Sequence, residues 1–188
     1  MEKNRNYNRI EKLIVEAFLD LSKEKEISRI TVSELCRQAD INRTSFYAHY
    51  QDVWEIPQKM QNEILVKLDE TLKNFHFKEF INNPRIILGQ VWDFIKINES
   101  TYKQLISRSD VQAFLFKLTN LLEDKLLLAS DLPINLKTSP DARIKISYFA
   151  GGLANIYRRW LEDDFSSLEI DQITEVVAKM IENCGFPT

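Results

Sequence analysis

Residues 31–50 read Thr31-Val32-Ser33-Glu34-Leu35-Cys36-Arg37-Gln38-Ala39-Asp40-Ile41-Asn42-Arg43-Thr44-Ser45-Phe46-Tyr47-Ala48-His49-Tyr50. Thr31 with Glu34 three positions on is a capping box, the signature of a helix start. Val32, Leu35, Cys36 and Ala39 then make the inner face of a short helix. Asp40-Ile41-Asn42 breaks it, because Asp tolerates the left-handed conformation of a tight turn and Asn42 is a good cap for the next helix. That helix is predicted from Arg43 to about His49. Upstream, Ile10, Leu13, Ile14, Ala17, Phe18 and Leu21 recur at helical spacing with Lys12, Glu16 and Asp20 opposite. A polar stop follows at Ser22-Lys23-Glu24-Lys25-Glu26. Three helices, the last two joined by a three-residue turn, are the plan of a helix-turn-helix.

The third helix has the chemistry for that role. Arg43 can grip guanine bidentately, Thr44 and Ser45 can bond phosphates or base edges, and the Tyr47 hydroxyl and His49 can reach phosphate. Phe46 and Tyr50 are the apolar anchors. Read residue by residue, Thr31 is in part simply a cap, Phe46 is core, solvated surface is the alternative for Arg43 and Ser45, and a structural role is the alternative for His49 and Tyr47.

From Ile14 to Ile56 the sequence resembles the DNA-binding domain of the TetR family of bacterial transcription regulators. The likeness rests on the capped Thr31, the pair Leu35-Cys36, the turn, the polar pair after it, and Phe46-Tyr47-Ala48-His49-Tyr50. It implies a two-fold dimer with Thr31 and the segment Asn42, Arg43, Thr44, Ser45, Tyr47, His49 and Tyr50 facing double-stranded DNA. Three departures stand out. Asp40 replaces the usual turn glycine, Cys36 the usual alanine, and Val53 the lysine that commonly touches phosphate. Phosphate binding then leans on Arg43, Tyr47, His49 and the basic arm Lys3, Arg5 and Arg9.

Composition narrows the alternatives. The 188 residues contain 4 Gly and 5 Pro, about 5% where roughly 12% is usual. Many-turned β folds need more turn residues than that. No G-x-G-x-x-G or G-x-x-x-x-G-K-[ST] occurs, which disfavours the common nucleotide-dependent enzymes. Two histidines, His49 and His76, form no metal-ligand spacing, so neither metal nor cofactor is expected and an all-α enzyme has no candidate nucleophile. Cys36 and Cys184 stand far apart without a partner motif and read as reduced thiols, with a long-range disulfide as the alternative. The polar N-terminus shows no signal peptide, and no apolar run reaches the ~18 residues of a membrane span, so the expected location is cytoplasmic. The net charge is −3, but it is unevenly placed. Residues 1–51 carry 9 Lys+Arg and 8 Asp+Glu, while residues 52–188 carry 16 and 20. Binding of nucleic acid by bulk charge is therefore excluded, and a local contact surface is not.

No window alternates with period 2, so the whole chain is predicted all-α, divided into a head (1–51) and a helical effector-sensing and dimerisation body (52–188). Asp52 and Glu55 offer a capping pair for a helix to about Asn74, with Pro57 forcing a kink or a later start. Phe75–Asn83 reads as a connection anchored by Phe75, Phe77 and Phe80. Asn83-Pro84 starts the next helix, which carries Trp92, Phe94, Ile95 and Ile97. Helices around Thr101–Ser107 and Asp110–Ala129 come next, then a linker over Ser130–Ser139. Ser139-Pro140 opens a helix to about Leu161, and a last one spans about Glu169–Asn183, ended by Gly185 and Pro187.

Ile146, Phe149, Leu153, Ile156 and Trp160 form one heptad-like seam, and Ile170, Ile173, Val177, Met180 and Cys184 another. They predict an antiparallel pair that doubles into a four-helix bundle, with Phe149, Gly152, Leu153, Ile156, Trp160, Ile173, Val177 and Met180 at the dimer interface. Burial within one chain is the alternative. Gly151 and Gly152 would let backbones approach closely. Residues 148–180 resemble the C-terminal dimer helices of the TetR subgroup that includes regulators of dihydroxyacetone kinase genes, although Glu162-Asp163-Asp164 stands where a glycine is usual. Trp92, Tyr102, Phe114 and Phe116 are candidates for an effector pocket, with plain core as the competing reading. The expected function is a dimeric regulator on a palindromic operator, controlled by an unknown small-molecule or protein effector. The alternative is a helical interaction module with weakened or lost DNA binding.

Overall fold

The computed structural model describes the chain except residues 1, 98, 109–110, 163–164, 166–167 and 184–188, and the side chains of 2–4, 104 and 106–108. The described residues form eleven α-helices and no strand. In the head, α1 (Glu2–Glu24) is followed by a 3-10 turn (Ile27–Arg29), α2 (Val32–Gln38) and α3 (Arg43–Tyr47). The basic arm is thus the first turns of α1, and Arg5 and Arg9 are exposed on it. The Lys3 side chain lies outside the described residues.

The local signals of the head act as read. Thr31 accepts from the Glu34 backbone N–H at 3.3 Å while the Glu34 carboxylate accepts from the Thr31 N–H at 3.0 Å. Asp40 has φ 52°, the left-handed turn the break requires. The Asn42 side chain accepts from the Ser45 N–H at 2.7 Å and caps α3. Ile14, Phe18, Leu35 and Phe46 are almost completely buried together.

The head's core does not stop at residue 51. It takes in Val53, Ile56 and Met60, and also Leu105 from the body. Helix α4 (Glu55–Thr71) starts three residues after Asp52, which accepts from the Glu55 N–H at 3.1 Å. Pro57 is therefore in the first turn, where no intrahelical bond is lost and no kink is needed.

The body comprises α5 (Phe77–Asn82), α6 (Pro84–Lys96), α7 (Glu99–Arg108), α8 (Val111–Leu127), α9 (Ile134–Lys137), α10 (Pro140–Leu161) and α11 (Ile170–Glu182). Two expectations are corrected here. The supposed connection after α4 contains α5, and the supposed linker after α8 contains α9. The two meet, because the Asp131 carboxylate accepts from the Phe77 and Lys78 N–H groups at 2.7 and 2.8 Å and caps α5 from outside its own sequence. Gly185, Pro187 and Cys184, expected to end α11 and its seam, lie outside the described residues, as does part of the acidic run after Leu161.

The partners of α10 and α11 also differ from the expected antiparallel pair. Helix α10 packs chiefly on α8, and α11 chiefly on α6 and α5. Arg85 of α6 locks α11 by gripping Glu175 at 2.9 and 3.0 Å and also bonding Glu182. Head and body are tied by the Lys59–Glu11 ion pair between α4 and α1, and the body's long helices by Lys125–Asp69 at 2.8 Å between α8 and α4.

Candidate nucleic-acid interface

Helix α3 has five residues, and its surface is divided sharply. Phe46 is fully buried and fixes the helix to the head. Arg43 and Thr44 are exposed, Ser45 is half-buried, and Tyr47 is 57% exposed with its ring edge-on to Phe46 at 5.5 Å. Arg43 lies across the turn, its guanidinium donating to the Ser33 hydroxyl of α2. The exposed row of Arg43, Thr44 and Tyr47 can offer a fork of N–H donors and two hydroxyls to one groove.

Other expected contacts are placed differently. The Thr31 and Asn42 side chains are exposed but occupied as caps, Thr31 also donating its hydroxyl to Glu34 at 2.8 Å. Tyr50 is a correction. It is 2% exposed, so it is core and cannot lie on DNA. Its hydroxyl sits 3.5 Å from Glu11, and the Lys59 ammonium lies 5.1 Å from its ring centroid. Burial, first, and the nearby Glu11 and Glu63 push its phenol well above the ordinary range. Val53, read as a lost phosphate contact, is likewise buried in the head's core. The exposed neighbour is Trp54, which no sequence signal singled out. His49 is buried against Tyr7 of α1, a contact that the sequence also did not reveal.

The proposed dimer residues separate into three sets. Leu153, Ile173 and Val177 are buried inside the single chain, so they are core of this protomer and not interface. Phe149, Ile156 and Trp160 are half-buried against the same core. Gly152 and Met180 are exposed. Large apolar side chains stand out on α10 at Ile144 and Tyr148 and on α11 at Val176 and Met180. Further along α10, a Cβ added at Gly151 or Gly152 would meet nothing within 4 Å.

Deeper in the body lies an apolar cavity of about 40 Å³ bounded by α4, α6, α7, α8 and α10, with Tyr102, Phe114, Leu105 and Tyr157 among its walls. Tyr102 and Phe114 were expected there. Phe116 is 68% exposed on the outer face of α8 and is excluded. Trp92 is buried against Tyr157 and Trp160, with ring centroids at 4.4 and 5.4 Å, and does not reach the cavity. The Tyr157 hydroxyl and the Trp92 indole N–H are buried without a hydrogen-bond partner. Leu105 is a wall of this cavity and at the same time part of the head's core. Among the described residues, no group of His, Cys, Asp and Glu could hold a metal ion, and no helix is long and apolar enough to cross a membrane.

An all-α chain with a capped helix-turn-helix head on a helical body has the fold of the TetR-type transcriptional regulators. The solved structure of a TetR transcriptional regulator from Streptococcus agalactiae superposes with a TM-score of 0.63 at 20% identity, over 97% of this chain and 99% of that one. The dihydroxyacetone kinase operon activator DhaS superposes at 0.61 and 19% identity, over 92% and 93% of the two chains. In sequence the chain is 26% identical over 181 residues to the HTH-type transcriptional regulator YxbF of Bacillus subtilis, covering 92% of this chain and 45% of that protein. An HTH-type transcriptional regulator of Haemophilus influenzae is 36% identical over 61 residues, 32% of this chain and 30% of that protein. The matches therefore span less than half the length of these curated relatives. No protein-family model matches the chain. These similar proteins are named as transcriptional regulators and none as an enzyme.

Proposed function

We propose that the chain is a dimeric DNA-binding transcriptional regulator that recognises a palindromic operator through α3. The observation that carries this reading is the exposed row Arg43, Thr44 and Tyr47 on a short helix anchored by Phe46 and entered through the left-handed turn at Asp40. Thr31 and Asn42 hold the backbone of that row in place, and His49 reaches the phosphate chain beside it. Two such heads, related by a two-fold axis, would read half-sites about 34–36 Å apart or a multiple of that spacing.

The two-fold partner is a second copy, met through exposed apolar side chains such as Ile144 and Tyr148 of α10 and Val176 and Met180 of α11. Helix-interior glycines cost about 0.5–1 kcal/mol each, and nothing in this chain requires Gly151 or Gly152. A close-approaching helix from another copy supplies the reason. The body's cavity is the seat for an effector in this reading. At about 40 Å³ it is well below the ~150 Å³ that holds benzene, so an organic effector enters only by moving a wall. Leu105 makes α7 the wall that the head would feel.

Selection of bound DNA from a random pool, followed by a salt-dependent gel shift, tests the proposal. The expected result is an inverted repeat bound tightly and specifically. Recovery of no common sequence, with only weak salt-sensitive binding, would replace it with an interaction module that does not read DNA.

A further inference from the structure

His49 follows α3, and the side chain lying on it comes from the start of α1. The Tyr7 ring stacks on the imidazole with centroids 3.8 Å apart and planes 28° from parallel. The Tyr7 hydroxyl points to the Ala48 carbonyl at 3.5 Å, one residue from the histidine. Tyr7 itself is 40% exposed, whereas His49 retains 9%. Nδ1 of the imidazole is buried and has no hydrogen-bond partner. Nε2 is then the ring nitrogen left to meet a group outside the protein.

The position of the proton follows. A neutral imidazole has one N–H and one bare nitrogen, and the environment of each decides which is which. A proton on Nδ1 would be a buried donor with nothing to accept it, while a bare Nδ1 is the cheaper group to bury. The proton belongs on Nε2. Adding a second proton meets the same obstacle at Nδ1. The charged and titratable groups around the ring are Tyr7 and Glu11 from α1, Tyr50 from its own segment, and Lys59 from α4. Burial holds the imidazole below its ordinary value, with Glu11 pulling it up and Lys59 pushing it down.

We propose that Tyr7 is a positioning residue for DNA contact: its ring pins His49 as a neutral imidazole that presents an Nε2–H donor to a DNA phosphate. The inference rests on the DNA-binding reading above. A freely exposed histidine would gain charge as pH falls through about 6.5 and would grip phosphate more tightly in acid. The pinned ring keeps one uncharged donor across that range.

Nitrogen-15 NMR of the full chain without DNA, joined to operator-binding titrations at about pH 8 and about pH 6, tests it. The expected spectrum shows the Nε2–H tautomer for His49 and a titration midpoint below that of a free histidine. Tyr7→Phe keeps the stack and behaves as the native chain. Tyr7→Ala frees the ring, weakens operator binding by about fivefold at the higher pH, and regains much of it at the lower pH as the released imidazole becomes cationic. His49→Gln, whose side-chain amide places an N–H where Nε2 stood, binds better than His49→Asn. If Tyr7→Ala does not fold, Tyr7→Leu, which keeps bulk without an aromatic face, takes its place. An Nδ1–H tautomer, or an alanine or leucine variant with native affinity and native pH profile, overturns the proposal. A native chain that binds no selected operator overturns the DNA reading instead, and the tautomer is still decided by the NMR.

Discussion

Arg43 occupies the position where a single substitution says most about recognition. Its guanidinium is exposed and tethered to the Ser33 hydroxyl across the turn. That tether pre-orients the fork that a guanine edge would take over. Arg43→Ala is expected to lower specific operator affinity by about 1–3 kcal/mol and to relax preference at one base pair, read by titrating the selected operator and its single-base variants. Unchanged affinity would remove Arg43 from the interface. Residue identities in this region were legible in the sequence, but their directions were not. Tyr47 and Tyr50 are three positions apart, which on a continuing helix would put them on one face. Helix α3 ends at Tyr47 with Ala48 as its cap, so Tyr50 turns into the core while Tyr47 stays in solvent. Val53 went the same way, for it lies before α4 begins and packs inward.

At the scale of elements, the readable signals were those that act over three or four residues. The Thr31–Glu34 box, the Asp40 turn, the Asn42 cap and the Ser139-Pro140 start are all local, and each stands where the sequence put it. Helix α5 was missed because its cap comes from Asp131, 54 positions downstream in the chain. Burial pushes the Asp131 carboxyl up, but the Lys78 and Phe77 N–H bonds together outweigh it and hold the group below its ordinary value. Asp131→Ala is expected to cost about 1 kcal/mol, measured by denaturant unfolding near neutral pH. Because the folded-state value is depressed, this contribution is fully present above the ordinary carboxylate range and fades as pH falls through the folded value. The gap between the native chain and the variant should therefore narrow in acid. A gap that stays constant down to low pH would show that the cap is not ionic.

For the whole molecule, the heptad seams are apolar stripes whose most deeply buried members meet their own chain. A period of 3.5 marks an apolar stripe but does not say whether the stripe meets its own chain or another. Leu153, Ile173 and Val177 meet their own chain. The exposed stripe through Ile144 and Tyr148 lies beside that seam on the same helix. Tyr148→Arg is expected to give a folded monomer at micromolar concentration by sedimentation, with operator affinity lost in proportion. A Tyr148→Arg chain that sediments as the native one does would move the interface elsewhere.

The placing of the three indoles has an optical consequence. Trp54 is 48% exposed on the head, whereas Trp92 is buried in the body against Trp160 and Tyr157. A solvated indole emits at longer wavelength than a buried one, so light from the two ends of the chain differs in colour. Dissolved quenchers reach Trp54 first and leave Trp92 bright. With Trp54→Phe as the blank, events at the head and events in the body can be followed separately in unlabelled protein.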